Sequence, residues 1–264
     1  MFESLFNLPL VVAGTVIIGA LCAFAGLGVT VVRRRVLPKL RIKEEDSGFT
    51  GSMMQGVLVF YGLAVALMAV SVWQTYSDVS KIVSGEATSL ASLYRDVSGY
   101  PEPLRPKLQA SLADYTKQII REAWPLQARG VIPTAGVDYM NYFQGLLIGF
   151  EPATEGQKLL HAEALGAYNQ LILARRLRVD TVGTGLPSLM WTVIVAGAFI
   201  SLASSFFYKV EDARLQMIQV QLLAVFIGLV IFMIFALDHP YRGDLGIPSD
   251  PYQLIYDQLM KPRG

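Results

Sequence analysis

The sequence predicts an all-α membrane protein: four transmembrane helices, with an extramembrane helical bundle inserted between the second and third spans. Three observations predict it. Of 264 residues, 53% are hydrophobic and only 16% charged, whereas a soluble domain carries about 25% charged residues. Four runs, at residues 4–32, 47–77, 181–208 and 215–237, hold no charged side chain, and crossing a bilayer core takes about 20 residues. The stretch between the second and third runs repeats its apolar residues at helical spacing, with no alternation that would suggest strands. The chain therefore divides into residues 1–76 (two spans and a basic cytoplasmic linker), 77–186 (bundle), 187–237 (third and fourth spans) and 238–264 (tail).

The first run is preceded by Glu3 and followed by Arg33, Arg34 and Arg35. A secretory signal carries its positive charge before the apolar stretch, so this run reads as an uncleaved anchor. Gly19 and Ala23, with Gly26 and Gly28, offer small residues that let another helix approach closely. The linker 33–46 carries six Lys or Arg, and short basic loops are retained in the cytoplasm. That places both termini and the bundle outside, on the periplasmic face of a bacterial inner membrane, and the turn at 209–214 inside.

The second span continues into the longest helix of the chain, residues 53–98, which lacks proline. Leu58, Gly62, Val65, Ala69, Val72, Tyr76, Val79, Val83, Glu86, Leu90, Leu93 and Val97 alternate steps of four and three, a seam whose one charged member is Glu86. A buried carboxylate without a partner costs several kcal/mol, on the order of 3–5, so Glu86 needs a cation. Glu86 stands thirteen residues after Trp73 and Arg178 thirteen before Trp191. If both tryptophans anchor one membrane interface, the two groups stand at equal height. Arg178 is then the expected partner, with Arg175 in reserve should Gly183 and Gly185 shift the register.

Pro101 and Pro103 end the long helix. Leu104, Leu108, Leu112, Tyr115 and Ile119 mark a second, 137–150 a short aromatic-rich third, and Leu160, Ala164, Ala167, Leu171 and Ala174 a fourth that starts at Pro152. The third span repeats Gly197, Ser201 and Ser205 at steps of four, a packing face. In the tail, Asp250 with Pro251 and Gln253 reads as a capped short amphipathic helix. Asp238, His239 and Arg242 read as an interfacial polar network holding the tail.

Several strings resemble those of the bacterial bestrophin-like domain-containing membrane proteins, a four-span group. They are Glu86 with Leu90, Leu93, Tyr94 and Arg95, then PEPLRPKLQASLADY at 101–115, EAWPLQARG at 122–130, LPSLMW at 186–191 and ALDHPYRG at 236–243. Ala123 departs from the pattern by separating Glu122 from Trp124. The link to true bestrophins, pentameric anion channels, is remote: no acidic calcium-clasp run and no aromatic neck matches, so no pore residue is carried over. The resemblance implies a homo-oligomeric ion channel. The rival expectation is a non-transporting accessory subunit, envelope sensor or scaffold whose bundle binds a protein partner.

Other chemistries find little support. Cys22 is the one cysteine, which excludes a disulfide framework and a thiolate metal cage. His161 and Glu163, two apart on a helix, point to different faces and cannot chelate one metal. A net charge of +1 without a basic face argues against nucleic acid. No catalytic set stands out, so neither an enzyme nor a cofactor is expected; the partners expected are the lipid bilayer, copies of the same chain and another membrane protein. The charge-free spans also argue against a coupled transporter, which places ionisable groups at membrane depth.

Overall fold

The computed structural model describes residues 8–39, 44–208 and 212–261, all of whose regular elements are helices. These are α1 (Leu10–Val31), α2 (Glu44–Asp96), α3 (Leu104–Gln118), α4 (Trp124–Gln127), α5 (Gly136–Ile148), α6 (Glu155–Asp180), α7 (Ser188–Phe206), α8 (Ala213–Asp238) and α9 (Asp250–Ile255). Helices long and apolar enough to cross a membrane lie at Leu10–Val36, Gly51–Gly99, Ser188–Phe206 and Ala213–Asp238, with mean hydropathies of 2.4, 2.2, 1.9 and 2.8 over their most apolar windows. Helices α3 to α6 fall between the second and third of these in chain order. Part of the linker (40–43) and of the expected turn (209–211) lies outside the described residues.

The chain folds as two compact units: Met1–Gln74 with Gly185–Asp238, and Thr75–Thr184 with His239–Gly264. The unbroken α2 contributes to both.

In the first unit small residues set the spacing between helices. Gly14 of α1 lies under the Phe232 ring, Gly26 against the Gln221 amide, and a Cβ at Gly28 would overlap Phe206. Gln221 donates Nε2 to the Cys22 carbonyl oxygen at 3.0 Å, and Phe24 meets Phe199 edge to face at 4.7 Å. Gly19 and Ala23 take no part in this packing: both face outward, and nothing approaches a Cβ at Gly19. The buried stripe of α1 is instead Ala13, Leu21, Ala25 and Val29, and residues 19 and 23 point away from it at helical spacing. Gly197 does lie at a contact, under the Tyr61 ring, whose hydroxyl donates to the Ile194 carbonyl oxygen at 3.1 Å. Ser201 and Ser205 are buried on the same face of α7.

The second unit has a larger core, joining α2 beyond Val79 to α3, α5, α6 and the tail through Leu90, Leu93, Leu112, Phe143, Leu171 and Tyr252. Two local starts differ from the sequence expectation. Helix α6 begins at Glu155, three residues after Pro152, because the Thr154 hydroxyl caps it by accepting from Gln157 N at 3.2 Å. The Gln157 side chain answers by accepting from Ala153 N at 2.8 Å, close to a capping box. In the tail Ser249 stands at the cap, with no side-chain cap bond. Gln253 donates forward to Asp257 at 3.0 Å and so does not close the box expected with Asp250.

Candidate functional site

The second unit is built around a buried charge pair. The seam places Glu86 on the buried face of α2, fully inaccessible to solvent. Opposite it, Arg178 lies in the last turn of α6 on the face of Ala164, Ala167 and Leu171. Arg178 donates from Nε to Glu86 Oε2 and from Nη2 to Oε1 at 3.2 Å, the two-pronged geometry that suits guanidinium and carboxylate. Tyr115 of α3 donates its hydroxyl to Oε1 at 2.9 Å. Arg175, the reserve partner, lies half-buried beside Gly136 and forms no ion pair among the described residues.

Aromatic rings enclose the cation. Arg178 Cζ stands 5.7 Å from the Trp124 ring centre and 5.9 Å from that of Tyr252, within cation–π range. Trp124 meets Tyr252 at 5.3 Å and Tyr241 at 5.8 Å, and donates Nε1 to the Ile247 carbonyl oxygen at 3.0 Å. Tyr241 bonds the Thr181 hydroxyl at 3.0 Å. The tail thus supplies two of the rings around a centre whose charges come from α2 and α6. Arg178 Nη1 is buried without a hydrogen-bond partner, and the Tyr252 hydroxyl, buried near the Glu86 carboxylate, makes no hydrogen bond of ordinary length.

The electrostatics keep the guanidinium charged. Burial alone would lower the Arg178 pKa, but the adjacent Glu86 carboxylate carries it above the ordinary value, so the guanidinium keeps its proton. Burial, and then the negative charge of Glu86, push the Tyr115 and Tyr252 phenols well above their usual range. A cation that holds its proton beside phenols that hold theirs offers no group poised for proton transfer near neutral pH. What the arrangement does chemically is lock α2, α3, α6 and the tail together. Among the described residues no group of three His, Cys, Asp or Glu is placed to hold a metal.

The polar set expected at the end of α8 divides between the two units. In the first, Asp238 is buried and accepts from Leu186 N at 2.6 Å and from Trp191 Nε1 at 3.1 Å, tying the start of α7 to the end of α8. Trp73 is 59% exposed and Trp191 only 6%, the indole N–H of Trp191 meeting a carboxylate of its own unit. In the second unit Arg242 donates Nη2 to the Arg129 carbonyl oxygen at 3.2 Å and its backbone N–H to that of His239 at 3.0 Å. The Arg242 guanidinium crosses Gly130, whose φ of +74° and lack of a Cβ both suit the approach.

Sequence reasoning misses the ring of Tyr115, Trp124, Tyr241 and Tyr252. Tyr115 carries a signal, since it continues the Leu108 and Leu112 stripe. Tyr252 carries none beyond its place in a short helix. Compared with known proteins, residues 19–252 match a protein-family model described as Bestrophin-like domain. No curated protein and no solved structure matches the chain.

Proposed function

The chain belongs to the bestrophin-like family, and from that premise we propose that this multi-pass membrane protein assembles with copies of itself into an ion channel of a bacterial inner membrane. The family match over residues 19–252 carries the reading. Two features of the chain support it. The apolar runs hold no Asp, Glu, Lys, Arg or His, which fits a passive path better than a coupled transporter. Opposite its buried stripe, α2 exposes Ser84, Gly85, Thr88 and Ser92, small residues whose hydroxyls and backbone can line the extramembrane stretch of an ion path once several copies come together. In this reading the protein catalyses no reaction, and its partners are the bilayer, its own copies and at most another membrane protein. The six basic residues of the linker put that linker inside and both termini, with residues 77–186, on the periplasmic side.

Purified protein reconstituted in liposomes should pass small ions without a coupled gradient, and crosslinking should trap a closed ring of copies. Flux equal to that of empty liposomes from a folded oligomer would turn the assignment to an accessory or scaffold subunit. Reporter fusions after Gly130 and within the turn at 209–214 check the orientation, with activity expected outside for the first and inside for the second.

A further inference from the structure

Helices α3 and α5 of the second unit form the two walls of an open cleft of about 460 Å³, within the range of small-molecule sites. From α3 come Lys107, Ser111 and Asp114, and from α5 Asp138, Tyr139 and Tyr142. Steps of four and three put the α3 residues on one face, and the step of four from Asp138 to Tyr142 does the same on α5. The charges are distributed unevenly. Asp114 is committed to Lys117 at 3.1 Å, whereas Lys107 and Asp138 form no ion pair among the described residues, with each other or with any neighbour. Ser111 lies in the wall but is only 6% exposed, and its hydroxyl is not accessible to solvent.

A lone anion drawn to Lys107 would face Asp138, and a lone cation drawn to Asp138 would face Lys107. A molecule bearing both charges satisfies both walls. We propose that this cleft binds a small zwitterion of the betaine or amino-acid class, its carboxylate on the Lys107 ammonium, its ammonium between the Asp138 carboxylate and the Tyr142 ring. The ring contributes because a cation over a tyrosine face is attracted to it, and Tyr142 is 60% exposed, so its ring is available. Tyr139 closes the apolar side of the cleft. The site is independent of any ion path and stands whether or not the chain conducts.

Isothermal titration of the full chain in detergent micelles with glycine betaine and with L-phenylalanine tests the assignment. At least one should bind saturably, and the half-ligands tetramethylammonium and acetate should bind about tenfold or more weakly. Lys107→Gln and Asp138→Asn change exposed side chains, so both variants should keep the native circular dichroism while each weakens the zwitterion about tenfold. Tetramethylammonium or acetate binding as tightly as the zwitterion, unchanged affinity in both charge variants, or no saturable heat from folded protein would each overturn the proposal.

Discussion

The two units handle polar groups in opposite ways. In the first, helices approach over glycine, and the contacts are rings laid on backbone: Phe232 on Gly14, Phe206 on Gly28, Tyr61 on Gly197. Among the described residues its one buried charged side chain, Asp238, sits at the very end of α8, met by a backbone N–H and an indole. In the second, a full ion pair lies in the middle of a core and is covered by aromatic side chains. Helices that have lipid rather than water as the alternative gain little from apolar burial and associate through close packing, which small residues allow. A core that excludes water gains from burial, and can hold a charged pair if the geometry satisfies it. The first unit should therefore be sensitive to volume, and the second to unpaired charge.

The largest expected effect tests the second half of that contrast. Arg178→Met strands the Glu86 carboxylate and should cost about 3–5 kcal/mol of stability in detergent, read from thermal or denaturant unfolding. Adding Glu86→Gln to it should recover part of the loss, because neither charge is then left alone. Simple additivity of the two changes would show that the pair does not couple, and the comparison would fail at its centre.

Next in size is a pair of one-atom changes. Tyr115→Phe removes a hydroxyl that donates to Glu86 at 2.9 Å, and a bond to a charged group is worth about 1.5–3 kcal/mol. Tyr252→Phe removes a hydroxyl that makes no hydrogen bond of ordinary length and should cost less. Equal losses from the two would mean that the Tyr252 hydroxyl, too, is bonded to the Glu86 carboxylate in the folded state.

The first unit predicts a contrast set by volume alone. Gly28→Ala forces the buried Phe206 ring to move and should cost about 1–2 kcal/mol. Gly19→Ala, on the same helix with open space around it, should leave the melting temperature unchanged. A cost at Gly19 equal to that at Gly28 would mean that the outward stripe also packs, against another copy of the chain.

Much of the architecture is legible in the chain because its signals are local. Charge-free length marks the spanning helices, and Glu86 stands out as the single charge in an apolar seam. What is not legible is what closes the centre from afar. Tyr252 is 166 residues from Glu86 in the sequence, and no spacing rule links a tail helix to a seam on α2. The face that α1 presents is equally hidden, since Gly14, Gly19, Gly26 and Gly28 look alike until the positions of α7 and α8 select among them. Trp191 shows an indole with two uses: its amphipathic ring suits a membrane interface, and a carboxylate within its own unit takes the N–H.

The smallest effect concerns the protons that the second unit keeps buried. Tyr100 is 1% exposed, bonded to His161 Nδ1 at 2.8 Å and packed edge to face on Phe150 at 5.0 Å. Burial raises its phenol pKa from 10.0 to about 12. Because the folded state favours the protonated phenol, its contribution to stability is intact below the unfolded pKa of 10.0 and is lost as the pH climbs from there towards about 12. Tyr100→Phe has no such proton to lose. At about pH 8 the variant should be less stable by about 1 kcal/mol for the missing hydrogen bond, and the gap between its unfolding midpoint and that of the unaltered chain should narrow as the pH passes 10.0. Parallel pH profiles for the two proteins would show that the hydroxyl is solvated in the folded state, and that the second unit is less closed around its polar groups than its geometry implies.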